Sequence, residues 1–130
     1  MYRRTILVVE DEDMIRSMVV EAIRALGYEV IEQREGISAK YILESKAEID
    51  LLVSDVILPG VNGFRLAEIA LTQRPSSKIV LMTGYTPSPL PSRLSEAGVT
   101  IMHKPFQIDD LITTVLSLLP RTAASNNERD

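Results

Sequence analysis

Six chemically active side chains stand directly after short apolar runs, where strands would end. They are acidic groups, one hydroxyl and one ammonium: Glu10, Asp11, Glu12, Asp55, Thr83 and Lys104. Two carboxylates about 4 Å apart repel each other by roughly 4 kcal/mol at an effective dielectric constant near 20, and a hard divalent cation such as Mg²⁺ relieves that repulsion. A carboxylate beside Mg²⁺ can attack a phosphoryl group, whose oxygens an ammonium and a hydroxyl then stabilise. The set therefore predicts phosphoryl transfer to an aspartate.

Each of these residues also has a purely structural interpretation. Acids that precede a helix stabilise its N-terminus, and an aspartate at the end of a strand often forms a turn. Thr83 suits a strand, and Lys104 is explained equally well as a solvated charge. Because four different strand ends carry complementary groups, we favour the interpretation that they form one site.

The elements that would position these groups alternate between short strands and amphipathic helices. The predicted strands are Thr5–Val9, Glu29–Gln33, Leu51–Ser54, Lys78–Met82 and Val99–Met102. The predicted helices are Met14–Leu26, Gly36–Ser45, Phe64–Gln73, a short one near Ser92–Ala97 and a last one from Ile108 to Leu119. Apolar strands that alternate with helices predict an α/β fold with a doubly wound five-stranded parallel sheet. In such a sheet the ligand site lies outside the carboxyl ends of the strands.

Apolar side chains on these helices are expected to face the core. The sequence predicts that Ile37, Tyr41 and Ile42 of the second helix face inward. Four methionines are interpreted as core filler: Met14, Met18, Met82 and Met102. His103 is expected to be an ordinary strand residue that faces packing or solvent.

A proline-rich stretch interrupts the alternation of strands and helices. Prolines stand at positions 87, 89 and 91. Because proline breaks the interior of a helix, we expect a loop followed by a shortened or irregular fourth helix.

Composition excludes several classes of function. The chain has no cysteine and one histidine, which excludes disulfide frameworks, zinc–thiolate sites and multi-histidine metal sites. Its net charge of −4 and isoelectric point near 5.0 argue against nucleic acid or an acidic membrane surface as the partner. No run approaches about 18 apolar residues, and the start is unlike a signal peptide, so we expect a cytoplasmic protein.

The length of 130 residues corresponds to one domain. We expect that domain to span residues 1–120. The polar stretch 121–130 is predicted to be a disordered tail. The start at Met1, shortly before the first strand, favours a free-standing protein.

Four motifs occupy the predicted strand ends: Ile6–Glu12, Asp55–Gly63, Met82–Gly84 and Lys104–Phe106. Together they resemble the receiver domain of two-component response regulators, and the resemblance covers residues 5 to 119. It implies a flavodoxin-like sheet in the strand order 2-1-3-4-5. It also implies a phosphorelay in which a histidine kinase or a histidine phosphotransfer protein donates the phosphoryl group.

The resemblance assigns the metal-binding side of the site. Asp55 would accept the phosphoryl group and contribute to the Mg²⁺ site. Asp11 would bind Mg²⁺ directly, and Glu10 would hold it mostly through water. Ile57 would contribute its backbone carbonyl.

The resemblance also assigns the residues that would meet the phosphoryl group. Thr83 would hydrogen-bond it, and Lys104 would pair with it. Gly84 would leave room for the phosphodonor. Pro105 would follow a cis peptide bond that helps to aim Lys104.

The sequence departs from the family's usual pattern near the end of the chain. The family often has an aromatic residue three positions before the lysine, where this chain has Ile101. An isoleucine does not reproduce the rotation of a ring with a polar tip, so we expect the family's usual coupling between the threonine and this position to be altered. The proline-rich stretch also lies where the fourth helix of the common output face would be, so we expect an atypical output surface. Ile57 and Tyr85 would flank the path of the attacking water, and we expect their bulk to slow hydrolysis of the acyl phosphate.

Three classes of function are compatible with these residues. The first is a signalling switch that catalyses only its own phosphorylation and slow dephosphorylation and then changes its binding to a downstream protein, with homodimer formation left open. The second is an aspartyl phosphatase, which is disfavoured because Ile57 stands where a second acid or polar group is wanted. The third is a degenerate receiver that binds partners without phosphorylation, and the presence of all four chemical positions argues against it.

Overall fold

Five parallel strands form a single sheet that helices cover on both faces. The computed structural model describes residues 3–84 and 90–120. Its strands are β1 (Thr5–Val9), β2 (Glu29–Gln33), β3 (Leu51–Asp55), β4 (Lys78–Thr83) and β5 (Thr100–His103). Its helices are α1 (Asp13–Ala25), α2 (Gly36–Glu44), α3 (Gly63–Gln73), α4 (Ser92–Glu96) and α5 (Ile108–Leu118). The strand order is β2-β1-β3-β4-β5, with every pair parallel, which confirms the predicted flavodoxin-like fold.

The core consists of two apolar layers, one on each face of the sheet. Successive residues of a strand point to opposite faces, so Val53 packs with α1 and α5, whereas Leu52 packs with α2, α3 and α4. All residues of β3 are buried, as a strand covered on both faces requires. The two layers hold the central strands rigidly and so fix the positions of their carboxyl ends.

The fourth helix is short, as the prolines before it predict. It has five residues, and its one buried side chain is Leu94. Arg93 of this helix donates a hydrogen bond to the Thr72 hydroxyl of α3 at 3.1 Å. Residues 85–89, which include Tyr85 and most of the predicted proline-rich loop at 86–91, lie outside the described residues, as does the predicted tail at residues 121–130. None of the helices in the described part of the chain has the length and apolar character to cross a membrane.

The prediction that Ile37 and Tyr41 face inward is wrong. Both side chains are exposed, whereas Ile42 is partly buried against the core as predicted. The buried residues of α2 are Gly36, Ala39 and Leu43. The start of the helix explains this orientation, because a Cβ on Gly36 would lie 1.7 Å from the carbonyl oxygen of Val61 in the loop after β3. This close backbone contact requires Gly36 to face inward, and Ala39 and Leu43, three and seven positions later, lie on the same face of α2.

The methionines separate into a buried pair and an exposed pair. Met82 and Met102 are buried in the layer beneath α1 and α5, as predicted. Met14 is 87% exposed and Met18 is also exposed, so their interpretation as core filler is wrong. The core-facing residues of α1 are Val19, Val20 and Ile23. Met14 and Met18, four residues apart, lie along one flank of α1 outside this stripe.

Candidate functional site

The predicted site residues lie at the carboxyl edge of the sheet. Glu10 and Asp11 follow β1, and Asp55 is the last residue of β3. Thr83 ends β4 and Lys104 follows β5. The parallel register, in which Val9 pairs with Ser54 and Thr83 with His103, brings these four strand ends to one level.

Three carboxyl groups form a cluster at this edge. Oxygen atoms of Glu10, Asp11 and Asp55 lie within 4.8 Å of one another. Glu10 is fully buried and Asp55 is 9% exposed, whereas Asp11 is half-buried. The Lys104 ammonium donates to Glu10 Oε1 at 2.7 Å and to Asp55 Oδ2 at 3.2 Å. The structure therefore brings two of the predicted acids, Glu10 and Asp55, into direct contact with the predicted lysine and places Asp11 beside them.

Glu10 is held through both its backbone and its side chain. Its N–H donates to the Gln33 carbonyl at the end of β2 at 3.1 Å. Its Oε2 accepts from the backbone N–H of Glu12 at 3.1 Å. Burial raises the pKa of Glu10 above its usual value, although the Lys104 and Glu12 hydrogen bonds oppose the rise. The side chain of Glu12 is exposed and does not belong to the carboxylate cluster.

The backbone around Asp55 is fixed by short-range contacts. The buried Ser54 hydroxyl donates to the Asp55 carbonyl at 2.8 Å, and the Gly63 N–H donates to the Val56 carbonyl at 2.8 Å. A Cβ on Gly63 would lie 2.3 Å from the Asp55 carbonyl oxygen, so only glycine fits at the start of α3. The Ile57 N–H donates to the Asp55 carboxylate, and burial raises the pKa of Asp55 despite this bond and the nearby Lys104.

Lys104 links the ends of β4 and β5 to the acids. Its backbone N–H donates to the Thr83 carbonyl at 2.8 Å, and its peptide bond to Pro105 is cis as expected. Burial lowers the pKa of the Lys104 ammonium, but the hydrogen bond to Glu10 and the charges of Asp55 and Glu10 outweigh it and raise the pKa. Among the described residues, a Cβ on Gly84 would meet the Lys104 Cβ at 3.8 Å, which is an ordinary contact.

Two predicted modulators differ in their exposure. Ile57, two residues after Asp55, is 65% exposed. Ile101 is half-buried and packs against the core layer beneath α2, α3 and α4.

Sequence reasoning missed two contributors to the site. Arg16 of α1 donates to the backbone carbonyl of Glu10 at 3.0 Å and to Asp13 Oδ1 at 2.8 Å. The sequence offered one indication of this role: Arg16 is the first basic residue after four consecutive acids, and it stands three positions after Asp13, a spacing at which side chains on a helix can pair. Ser54 was taken as part of an apolar strand, and no pattern in the sequence distinguishes its hydroxyl contact.

The comparisons with known proteins agree with this geometry. The family model for the response regulator receiver domain matches residues 6–116. The response regulator receiver protein CpdR of Brucella abortus is 30% identical over 117 residues, which cover 89% of this chain and 97% of CpdR. The sensor kinase CckA of the same organism is 34% identical over 119 residues, which cover 90% of this chain but 13% of CckA. The structure of the chemotaxis response regulator CheY4 of Vibrio cholerae matches with a TM-score of 0.78 at 29% identity, covering 91% of this chain and all of that chain.

The chain therefore belongs to the response regulator receiver family of two-component systems, whose members are signalling switches. Its cluster of Glu10, Asp11 and Asp55 fits the Mg²⁺ site of that family, because the donors are all carboxylate oxygens close enough to share one hard cation.

Proposed function

We propose that this chain is a phosphorylatable switch of a phosphorelay, with Asp55 as the phosphoacceptor and Mg²⁺ as the cofactor. The observation that carries the proposal is the contact between Lys104 and the clustered carboxylates of Glu10 and Asp55. An aspartate at a strand end has many explanations, but an aspartate that shares an ammonium with a second, fully buried acid is arranged for reaction with an anion.

Asp11 and Asp55 would hold Mg²⁺ directly, Glu10 would hold it mostly through water, and the Ile57 carbonyl would supply a further oxygen. When bound, Mg²⁺ neutralises phosphoryl oxygens and so allows a carboxylate to approach them. The Ile57 N–H and the Lys104 ammonium hold the Asp55 carboxylate in place. An oxygen of Asp55 would then form a bond to the donor's phosphorus, and the donor atom would leave with the electron pair of its broken bond to phosphorus, which gives an acyl phosphate on Asp55.

Lys104 and Thr83 would bind the new phosphoryl group. Lys104 would exchange its contact with Asp55 for one with a phosphoryl oxygen, and the Thr83 hydroxyl would donate to another. The movement of Thr83 and of the segment after β4 would shift an existing equilibrium between two conformations. Because Ile101 replaces the usual ring, packing of an aliphatic side chain would carry this change toward the output surface.

The proposed donor is a histidine kinase or a histidine phosphotransfer protein. An open groove of about 380 Å³ adjoins Lys104; its lining residues are Glu12, Ile15, Met18, Lys104, Pro105 and Phe106. The exposed Met14 extends this apolar surface along α1. A donor protein that seats on this groove would bring its phosphohistidine to the edge where Asp55 lies.

The proposed output is altered binding to a downstream protein in the cytoplasm, with homodimer formation as one form that this binding could take. Catalysis would be limited to the chain's own phosphorylation and slow dephosphorylation. The aspartyl phosphatase alternative is disfavoured by the exposed Ile57, which offers no acid or base beside Asp55.

The proposal is tested by intact mass after incubation with acetyl phosphate, in Mg²⁺ and in excess chelator. We expect one added phosphoryl group on the wild type in Mg²⁺ and none in chelator. Asp55→Asn should remain unmodified. The matched control is Asp109→Asn, which alters an exposed aspartate in the first turn of α5 and should be modified like the wild type.

Two outcomes would contradict the proposal. An adduct of equal yield on Asp55→Asn would place the phosphoacceptor elsewhere. Absence of an adduct with both acetyl phosphate and a phosphorylated phosphotransfer protein would favour the degenerate receiver, an interaction module that binds partners without phosphorylation.

A further inference from the structure

Arg16 makes contacts that converge on the backbone of the acidic cluster. It is the fourth residue of α1, and its side chain is 14% exposed. Its guanidinium donates to the Glu10 carbonyl at 3.0 Å, to Asp13 Oδ1 at 2.8 Å and to Glu32 Oε1 of β2 at 3.2 Å. Because the guanidinium is planar and rigid, and its three acceptors lie in different directions, these bonds hold the Arg16 side chain in one position.

The hydrogen bond from Arg16 to the Glu10 carbonyl acts on the peptide that joins the two acids. This carbonyl belongs to the peptide unit that joins Glu10 to Asp11, and a peptide unit is planar from one Cα to the next. A hydrogen bond to its oxygen therefore restrains the peptide plane that carries the Cα atoms of both acids. The N–H of Glu10 is tied to the Gln33 carbonyl of β2 at 3.1 Å, so the backbone of Glu10 is held from two directions.

We propose that Arg16 is a positioning residue for the cation site, which tightens Mg²⁺ binding by holding the Glu10–Asp11 peptide. This inference rests on the proposed function, because it assumes that Mg²⁺ binds at Glu10 and Asp11. Partners that orient metal ligands commonly change metal affinity by about tenfold or more when they are removed.

When Arg16 is replaced, the loss of its charge and the loss of its positioning role should change the Mg²⁺ affinity in opposite directions. A cation near the site repels Mg²⁺, so loss of the charge alone would tighten binding. Loss of positioning would weaken it. Asp13 and Glu32 pair with the guanidinium and offset its charge, which leaves positioning as the larger effect.

The test measures the Mg²⁺ dissociation constant of the whole chain by isothermal titration calorimetry. Arg16→Gln removes the charge and the fork of donors, whereas Arg16→Lys keeps the charge but loses the fork. We expect both variants to bind Mg²⁺ about tenfold more weakly than the wild type. Tighter binding by Arg16→Gln, or wild-type affinity in both variants, would overturn the inference.

Two controls separate positioning from charge and from stability. Arg24 lies on the same helix and pairs with the same Glu32 at 3.7 Å, so Arg24→Gln controls for charge loss and should not weaken Mg²⁺ binding.

Arg74 donates to the Leu43 and Ser45 carbonyls at 3.0 and 2.9 Å, at the end of α2. Arg74→Gln therefore removes a similar multi-carbonyl clamp, lowers the melting temperature and should leave the Mg²⁺ affinity unchanged. Weakening by Arg74→Gln equal to that by Arg16→Gln would attribute the effect to stability and overturn the inference.

Failure of the inference and failure of the proposed metal site are distinguishable. Asp11→Asn should abolish measurable Mg²⁺ binding if the site is correct. Wild-type affinity in Asp11→Asn would refute the metal site itself. A loss of binding in Asp11→Asn together with unchanged binding in both Arg16 variants would refute only the positioning role.

Discussion

The half of the site at the ends of β1 and β3 and the half at the ends of β4 and β5 differ in how tightly they are packed. On the β1–β3 half, a Cβ on Gly63 would lie 2.3 Å from the Asp55 carbonyl oxygen, and Arg16 donates a hydrogen bond to the Glu10 carbonyl. On the β4–β5 half, the one neighbour that a Cβ on Gly84 would meet among the described residues is the Lys104 Cβ at 3.8 Å, an ordinary contact. The helix between these two strands has five residues, compared with thirteen in α1.

This difference indicates that the half with the acids is held in place, whereas the half with Thr83 and Lys104 can rearrange. Carboxylates that are to share one cation must keep their mutual positions, so the half that carries them is tightly packed. The half with Thr83 and Lys104 would have to adjust when a phosphoryl group arrives, and a short α4 with one buried side chain offers less resistance.

The largest effect is expected for Gly63→Ala. The added methyl group would meet the Asp55 carbonyl at 2.3 Å, so the start of α3 and the end of β3 must move apart. We expect the free energy of unfolding, measured by urea denaturation, to fall by about 3 kcal/mol, with a matching loss of phosphorylation by acetyl phosphate. A decrease below about 1 kcal/mol would show that this half is not tightly packed.

Lys104→Met tests the link between the two halves. The ammonium occupies the space between Glu10 and Asp55 and competes with a cation for their oxygens. Its removal should tighten Mg²⁺ binding by about tenfold, equivalent to about 1.4 kcal/mol, as measured by calorimetric titration. Lys40→Met, which alters a lysine paired with Glu44 on α2, serves as the control and should bind Mg²⁺ like the wild type. Unchanged affinity in Lys104→Met would argue that the ammonium and the cation do not compete.

Ile57→Ala should change the lifetime of the phosphorylated state and leave the fold intact. Ile57 is largely exposed, so its truncation should alter the free energy of unfolding by about 0.5 kcal/mol at most. A smaller side chain would open the path of the attacking water, and we expect hydrolysis of the acyl phosphate to accelerate a few-fold, about 1 kcal/mol. The decay is followed by intact mass after the donor is removed. Ile37→Ala, on the exposed face of α2, should decay at the wild-type rate, and an equal rate in Ile57→Ala would remove the steric explanation.

The smallest effect is expected for Gly84→Ala, the counterpart of Gly63→Ala. Its methyl group would meet the Lys104 Cβ at 3.8 Å, an ordinary van der Waals distance. The free energy of unfolding should change by about 0.5 kcal/mol or less in urea denaturation. A loss as large as that of Gly63→Ala would remove the contrast between the two halves.

The strands and the carboxylate cluster were predictable because each depends on a local pattern. A parallel strand that is covered on both faces must be largely apolar, so β1 begins and ends at the predicted residues. β2 also has the predicted bounds, although it lies at the edge of the sheet and its residues are exposed or partly buried. Once the parallel sheet is inferred, the strand ends share one edge, and the approach of Glu10, Asp55 and Lys104 follows from topology.

The rotation of α2 and the contacts of Arg16 were not predictable in the same way. Hydrophobic periodicity treats glycine as neutral, yet the contact of Gly36 with the Val61 carbonyl determines which face of α2 is buried. Met14 and Met18 follow the helical spacing of the core stripe but lie on its flank, because the period alone does not give the phase of a helix. Arg16 reaches a backbone carbonyl, and side-chain patterns in a sequence carry no information about carbonyl positions.

The lysine beside the carboxylate cluster determines the net charge of the site. Three carboxylates and one ammonium leave a formal charge of minus two, which one divalent cation cancels completely and one monovalent cation cancels by half. A resting site filled with Mg²⁺ would then be electrically neutral. Conversion of a carboxylate to an acyl phosphate adds about one negative charge, so the modified site would become an anion. The two states of the protein would differ at this edge of the sheet in net charge as well as in conformation.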